Sequence, residues 1–344
     1  MGLRDTLLRI GTAAPHVLVV SVPGAAPLRW AAEQWLDAQG WPRAASPADA
    51  DLLVECGVPG PQLAPRIAVA WEGLPGPRAR ARLEDDDATR VAAALLAARA
   101  ALRDLDGQLA DARDRTAPRL AAGPTPDDAA GRADADPDDM DHGDMDHGDM
   151  DMGGMDMDLP GGLAMAGRAQ DRDGLRLEGL RLRLGPILPG WPAGVELDVV
   201  LSGDVLSEVT ARRLDARAEP TAPPAVLALD GLALLLEAAD WPDGARRARR
   251  ARAEGGGGPA TGELMRRLRS ARLLRWSLRD LPAPAGRSVV EHVAVLLGVI
   301  DGTADLPSAS PEELGHAIRG LDLGPAGVVL AAFGPALDRA AAHA

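Results

Sequence analysis

The chain has 344 residues and a formal net charge of −14, with an isoelectric point near 4.9, a balance that argues against nucleic acid as a partner of the whole surface. Hydrophobic residues make up 46% but aromatics only 2%, so the cores must be built from Leu, Val and Ala. The one cysteine, Cys56, excludes a disulfide framework, a zinc knuckle or an iron–sulfur site, and it fits a reducing compartment. Lys, Asn and Tyr are absent, the codon signature of a very GC-rich bacterial genome, so the Arg, Ala, Gly and Asp bias carries less chemistry than it suggests.

The length predicts two modest domains. His16 to Val22 is a short apolar run closed by Pro23-Gly24 and predicts a buried parallel strand. A helix is expected over Ala26 to Gln39, ended by Gly40. Asp51 to Gly57 predicts a second strand and Ile67 to Trp71 a third. Asp87 to about Arg113 predicts one amphipathic helix, with Val91, Leu95, Ala98, Leu102, Leu105 and Leu109 at steps of three and four. Strand–helix–strand order at these lengths makes residues 1–115 an α/β domain.

Residues 116–158 are expected to be a disordered linker, because low hydrophobicity and like charges cannot offset the ordering entropy. Its end, Asp139 to Asp158, is a repeat-like acidic tract containing Asp-Met-Asp-His-Gly twice. Met140, His142, Met145, His147, Met150, Met152, Met155 and Met157 gather thioethers and imidazoles suited to Cu(I), and Asp141, Asp144, Asp146 and Asp149 would add charge for Ni(II) or Zn(II). The same segment also reads as an inert tether grown by repeat slippage.

Residues 159–344 predict an α+β domain, a β-meander followed by helices. Strands are expected over Leu175–Leu184, Val195–Leu201 and Val205–Ala211, the last two joined at Ser202-Gly203-Asp204. Helices are expected over Ala225–Ala239, Gly262–Leu281, Ser288–Leu297 and Pro311–Arg319, with a short one after Pro335. The run Arg246-Arg-Ala-Arg-Arg-Ala-Arg252 reads as a solvated helix face, with contact to phosphate or anionic lipid as the alternative.

No catalytic constellation emerges, and catalysis by the chain alone is not expected. Gly57 to Pro61 has neither Walker nor dinucleotide spacing. Ser21 lacks a nucleophile-elbow pattern. Glu291-His292 at a helix start is an acid–base candidate with a capping or surface alternative. No run of roughly 20 apolar residues is present, so no transmembrane segment is expected.

Two stretches carry a resemblance. Leu184-Gly-Pro-Ile-Leu-Pro-Gly-Trp-Pro-Ala-Gly-Val-Glu-Leu-Asp-Val-Val-Leu-Ser-Gly-Asp-Val-Leu-Ser-Glu-Val209 resembles the N-terminal β-region of the large subunit shared by respiratory complex I and NiFe-hydrogenases, and Arg266 to Trp276 is loosely similar to a helix of its bundle. Ala45 to Val54, with Ala70 to Pro77, is similar to the small, cluster-carrying subunit of the same complexes, and His16 to Gly24 to the strand before its cluster loop. The cluster loop here, Ser21-Val-Pro-Gly-Ala-Ala-Pro-Leu28, holds no Cys. The large-subunit half has no Cys pairs and the chain has no Tyr for a quinone headgroup.

The resemblance therefore implies a fused, degenerate accessory subunit without a redox centre, in an NADH–quinone oxidoreductase-like or hydrogenase-like assembly. Its implied partners are protein subunits of that complex. Its implied place is cytoplasmic, at the inner face of the cytoplasmic membrane. Trp30, Trp35 and Trp191 are the expected anchors of a mainly apolar contact between the two halves. The alternative is a copper or nickel handling protein using the central tract.

Overall fold

The computed structural model describes residues 11–121, 166–170, 176–216 and 222–341. The eight Met and His candidates of the central tract, and most of the expected linker, lie outside the described residues.

The first half is a three-stranded parallel sheet in the order β1 (Val17–Ser21), β2 (Leu52–Cys56), β3 (Ala79–Leu83). Between β1 and β2 runs α1 (Ala26–Gln39), which stops where Gly40 turns left-handed at φ 67° and donates to Leu36 and Asp37. Alternate strand residues divide the core. Val17, Leu52, Val54 and Cys56 pack under Ala32 and Leu36 of α1 and under α3 (Ala88–Leu102), whereas Leu18, Val20 and Leu53 meet α2 (Ala64–Gly73) on the other face.

One expectation fails here, and one strand lies where none was expected. Ile67–Trp71 is not a strand; it lies inside α2, where Ile67 and Ala70 are buried and Val69 is exposed, a three-residue step. A five-residue apolar run has no period of its own to tell helix from strand, and Pro65 in the first turn starts a helix. The true third strand, Ala-Arg-Ala-Arg-Leu, alternates buried and more exposed positions but lacks the β-branched residues that mark a strand.

The expected long helix is two. After α3 the chain kinks at Arg103-Asp104, whose amides donate to Ala100 and Ala101, and α4 (Leu105–Ala121) continues. Leu102 is buried but Leu105 and Leu109 are exposed, so the apolar seam ends where α3 ends. Helix also extends beyond the boundary expected at residue 115.

The second half opens with an antiparallel sheet, β4 (Ala166–Gln170), β5 (Arg176–Leu184), β6 (Val195–Ser202) and β7 (Val205–Arg213), in sequence order. The β6–β7 hairpin turns at Gly203, φ 62°. Helices follow: α5 (Pro224–Ala238), α6 (Pro242–Ala253), α7 (Pro259–Ser270) and α8 (Arg272–Leu278), then a two-residue ribbon β8 (Pro282–Ala283) and β9 (Arg287–Ser288), then α9 (Val289–Ile300), α10 (Pro311–Ile318) and α11 (Leu323–Ala341). Val195, Leu197, Val199 and Val209 pack against α10 and α11 around Phe333, while α5 to α9 form a second helical core.

Two boundaries differ from expectation. The helix expected over Gly262–Leu281 breaks at Ala271 (φ −75°, ψ 74°) into α7 and α8. The last helix starts twelve residues before Pro335 and contains it. Helix α6 forms around the arginine run, because Ala245, Ala248 and Ala251 give it a small, fully buried face.

Candidate functional site

The charged residues that the fold buries are concentrated where the two halves meet. Helix α1 places Arg29, Glu33 and Asp37 along one face at steps of four, and α5 and α6 turn Asp230, Glu237, Arg249 and Arg252 toward them. Two closed rings result. In the first, Arg29 donates to Glu33 at 3.0 Å and to Asp230 at 2.6 Å, and Arg252 donates to Glu33 at 2.8 Å and to Asp230. In the second, Arg249 donates to Asp37 at 2.8 Å and Glu237 at 2.8 Å, and Arg43 stands 3.3 Å from Asp37 and 3.8 Å from Glu237. Each ring takes one Arg and one carboxylate from each half, so charge balances within it.

Burial makes this balance matter. Glu33 is 6% exposed, Asp230 8%, Arg249 4% and Arg252 5%. Burial alone would push the Glu33 carboxyl up, but Arg29, Arg252, Arg43 and Arg249 hold it far below the usual carboxylate range. Burial likewise opposes charge on Arg29, and Asp230 and Glu33 outweigh it, raising that guanidinium well above its ordinary value. Trp30 adds an aromatic face, with the Arg252 guanidinium 5.3 Å from its ring centre.

Two further contacts cross the junction. Asp215, just past β7, accepts from the amides of Gln62 at 3.2 Å and Leu63 at 2.8 Å, which lie at the N-terminal end of α2. Glu196 in β6, fully buried, accepts from Arg66 of α2 and from Arg212 of β7. Apolar contact accompanies these pairs: Ile187 enters the first-half core, and Pro23 lies where a side chain at Gly194 would stand.

The junction is therefore ionic at its centre, which corrects the expectation of a mainly apolar one. Of the expected anchors only Trp30 touches a ring. Trp35 stacks edge-on to Trp41 at 4.8 Å within the first-half core. Trp191 donates to the Val195 carbonyl at 2.5 Å and fills the space beside Gly185. The arginine run is likewise only half solvated: Arg246 and Arg250 are exposed, Arg249 and Arg252 are not.

A crevice of about 50 Å³ lies beside the rings, between β1 and the loop carrying Pro186 and Trp191. That holds a water or two, not an organic substrate, which needs several hundred Å³. Other sequence candidates are separated or spent. Glu291 closes a capping box with Ser288, whereas His292 is fully buried, so the two do not form an acid–base pair. Burial and the nearby Arg287 push the His292 imidazole down to about 4. Ser21 donates to the Val22 carbonyl at 3.4 Å. Cys56 is inaccessible, and burial pushes its thiol up to about 12. Among the described residues no group of three or more His, Cys, Asp or Glu could hold a metal ion, and no helix is long and apolar enough to cross a membrane.

The sequence carried one usable signal for the rings. Asp230 interrupts Val-Leu-Ala-Leu and Gly-Leu-Ala-Leu-Leu-Leu, and Glu33 sits between Ala32 and Leu36. A carboxylate set inside such an apolar run asks for a buried cation. Comparison with protein-family models, with curated proteins and with solved structures finds no match to this chain.

Proposed function

We propose that this chain is a non-catalytic accessory subunit of a membrane-associated assembly resembling complex I or the NiFe-hydrogenases, in which one polypeptide supplies both a small-subunit-like and a large-subunit-like half. The observation that supports the reading is the doubled ion ring. It holds the two halves together through side chains from each, as the resemblance implies for two partner subunits. The site is built for holding rather than for turnover: its charges neutralise one another and its crevice admits no substrate. The test is affinity purification of the tagged native protein from gently solubilised membranes, with partners identified by mass spectrometry. Proton-translocating membrane subunits in the eluate support the proposal. Recovery as a lone monomer in several detergents overturns it.

A second reading, metal handling, rests on the eight Met and His donors between residues 140 and 157. Titration with Cu(I) against a competing chelator tests it. Affinity unchanged after replacement of those residues would sink it.

A further inference from the structure

We propose that helix α8 and its flanks form a docking surface for an anionic lipid bilayer. On α8, Leu273 and Trp276 stand 78% and 63% exposed, the first figure the highest among the large hydrophobic side chains described. They are three residues apart and so share a face. Exposed arginines surround them. Arg267, Arg269 and Arg279 are paired with Glu263, Asp301 and Asp280, whereas Arg266, Arg272 and Arg275 make no ion pair with any described residue. Apolar side chains beside cations that lack a counter-charge among the described residues are what an interfacial element presents to acidic headgroups. The Arg279 guanidinium lies 5.7 Å from the Trp276 ring centre, so the tryptophan can enter the headgroup layer with its cation beside it.

A protein partner is the other occupant to weigh. A groove of about 160 Å³ runs beside α8, lined by Leu268, Leu274, Leu278, Val290 and Val293 together with Arg269 and Arg275. A peptide seated there would be gripped by those residues, and Leu273 and Trp276 line no part of it. A broad, flat, negative surface meets the protruding pair first, and that favours the bilayer.

The proposal goes beyond the assembly reading and does not rest on it, because its test needs no other subunit. The full-length protein is mixed with vesicles of phosphatidylcholine alone or with phosphatidylglycerol added, and bound protein is measured by sedimentation. Brominated acyl chains report tryptophan depth. Binding is expected to the anionic vesicles only and to weaken with salt. Arg272→Gln and Arg275→Gln should each weaken it about five-fold. Leu273→Ser with Trp276→Ser should abolish it while leaving thermal unfolding unchanged, and Trp276→Phe should remove most of the bromine quenching. Failure to bind anionic vesicles at low salt overturns the proposal, as does equal binding by these variants. Capture by an acidic amphipathic peptide without vesicle binding also overturns it, in favour of a protein partner.

Discussion

Arg252 in α6 donates to Glu33 in α1 across 2.8 Å, joining helices that lie on opposite sides of the acidic tract in sequence. Glu33 also accepts from Arg29, and Asp230 closes the ring. Glu33→Ala leaves two buried guanidiniums with one carboxylate. Removing one member of a buried pair typically costs about 3–5 kcal/mol, and urea denaturation is expected to report a loss in that range. Glu33→Leu combined with Arg252→Met keeps the remaining Arg29–Asp230 pair neutral and should recover most of it. A single-variant loss under about 1 kcal/mol would place these charges with ordinary surface pairs.

Acid should act on the fold through His292. Its imidazole is fully buried and held neutral, with its ionisation pushed down to about 4 from an ordinary value of 6.5. The unfolded chain takes the proton more readily. The stability contributed is therefore complete above about pH 6.5 and lost as pH falls from there to about 4, amounting to about 3 kcal/mol. His292→Leu should flatten this part of the pH profile relative to the parent. Glu33, held low by its arginines, contributes stability above its unfolded value near 4.5 and loses it further into acid, so both proteins should still unfold there. Parallel profiles between pH 7 and 5 would refute the assignment.

A glycine gives a test of sign. Gly231 lies within α5, where replacement by Ala ordinarily adds about 1 kcal/mol of helix stability. A β-carbon there would stand 2.4 Å from Cγ of Pro335 in α11. The proline ring has no flexible end to swing aside, so α5 and α11 would have to part. Gly231→Ala is expected to destabilise by about 1–3 kcal/mol, measured by thermal or urea unfolding. A more stable variant would mean the crossing of α5 and α11 is looser than the fold describes.

These tests separate what local sequence encodes from what it does not. The strands β1 and β2, helix α1 with Gly40, and the β6–β7 hairpin were legible because each has a period, a stop signal or a turn of its own. Helix α2 was not, since Ile67 to Trp71 fits either period, and with it went β3. The breaks at Arg103 and Ala271 have no proline or glycine to announce them. The ion rings were least legible. Arg29 and Asp230 are 201 positions apart, and nothing near Arg252 distinguishes it from the exposed Arg250. Only Asp230, set inside the apolar run Val226 to Leu236, hinted that a cation would come to it.

Cys56 should be unreactive in the folded protein. It ends β2, paired in register between Ser21 and Leu83, and faces the packed layer beneath α1 and α3. Burial disfavours the thiolate and pushes the thiol up to about 12, and the thiolate is the reactive and metal-binding form. The native protein should therefore resist a thiol reagent at neutral pH and take up one equivalent after denaturation in urea. Labelling under native conditions should track transient opening of the sheet and accelerate in Glu33→Ala, if the rings help to hold the first half closed. Protein purified anaerobically should carry no iron–sulfur cluster, because one buried thiol cannot supply the ligand set. Rapid stoichiometric labelling of the folded protein would show that Cys56 is accessible, and near-stoichiometric iron and acid-labile sulfide would return a redox centre to the chain.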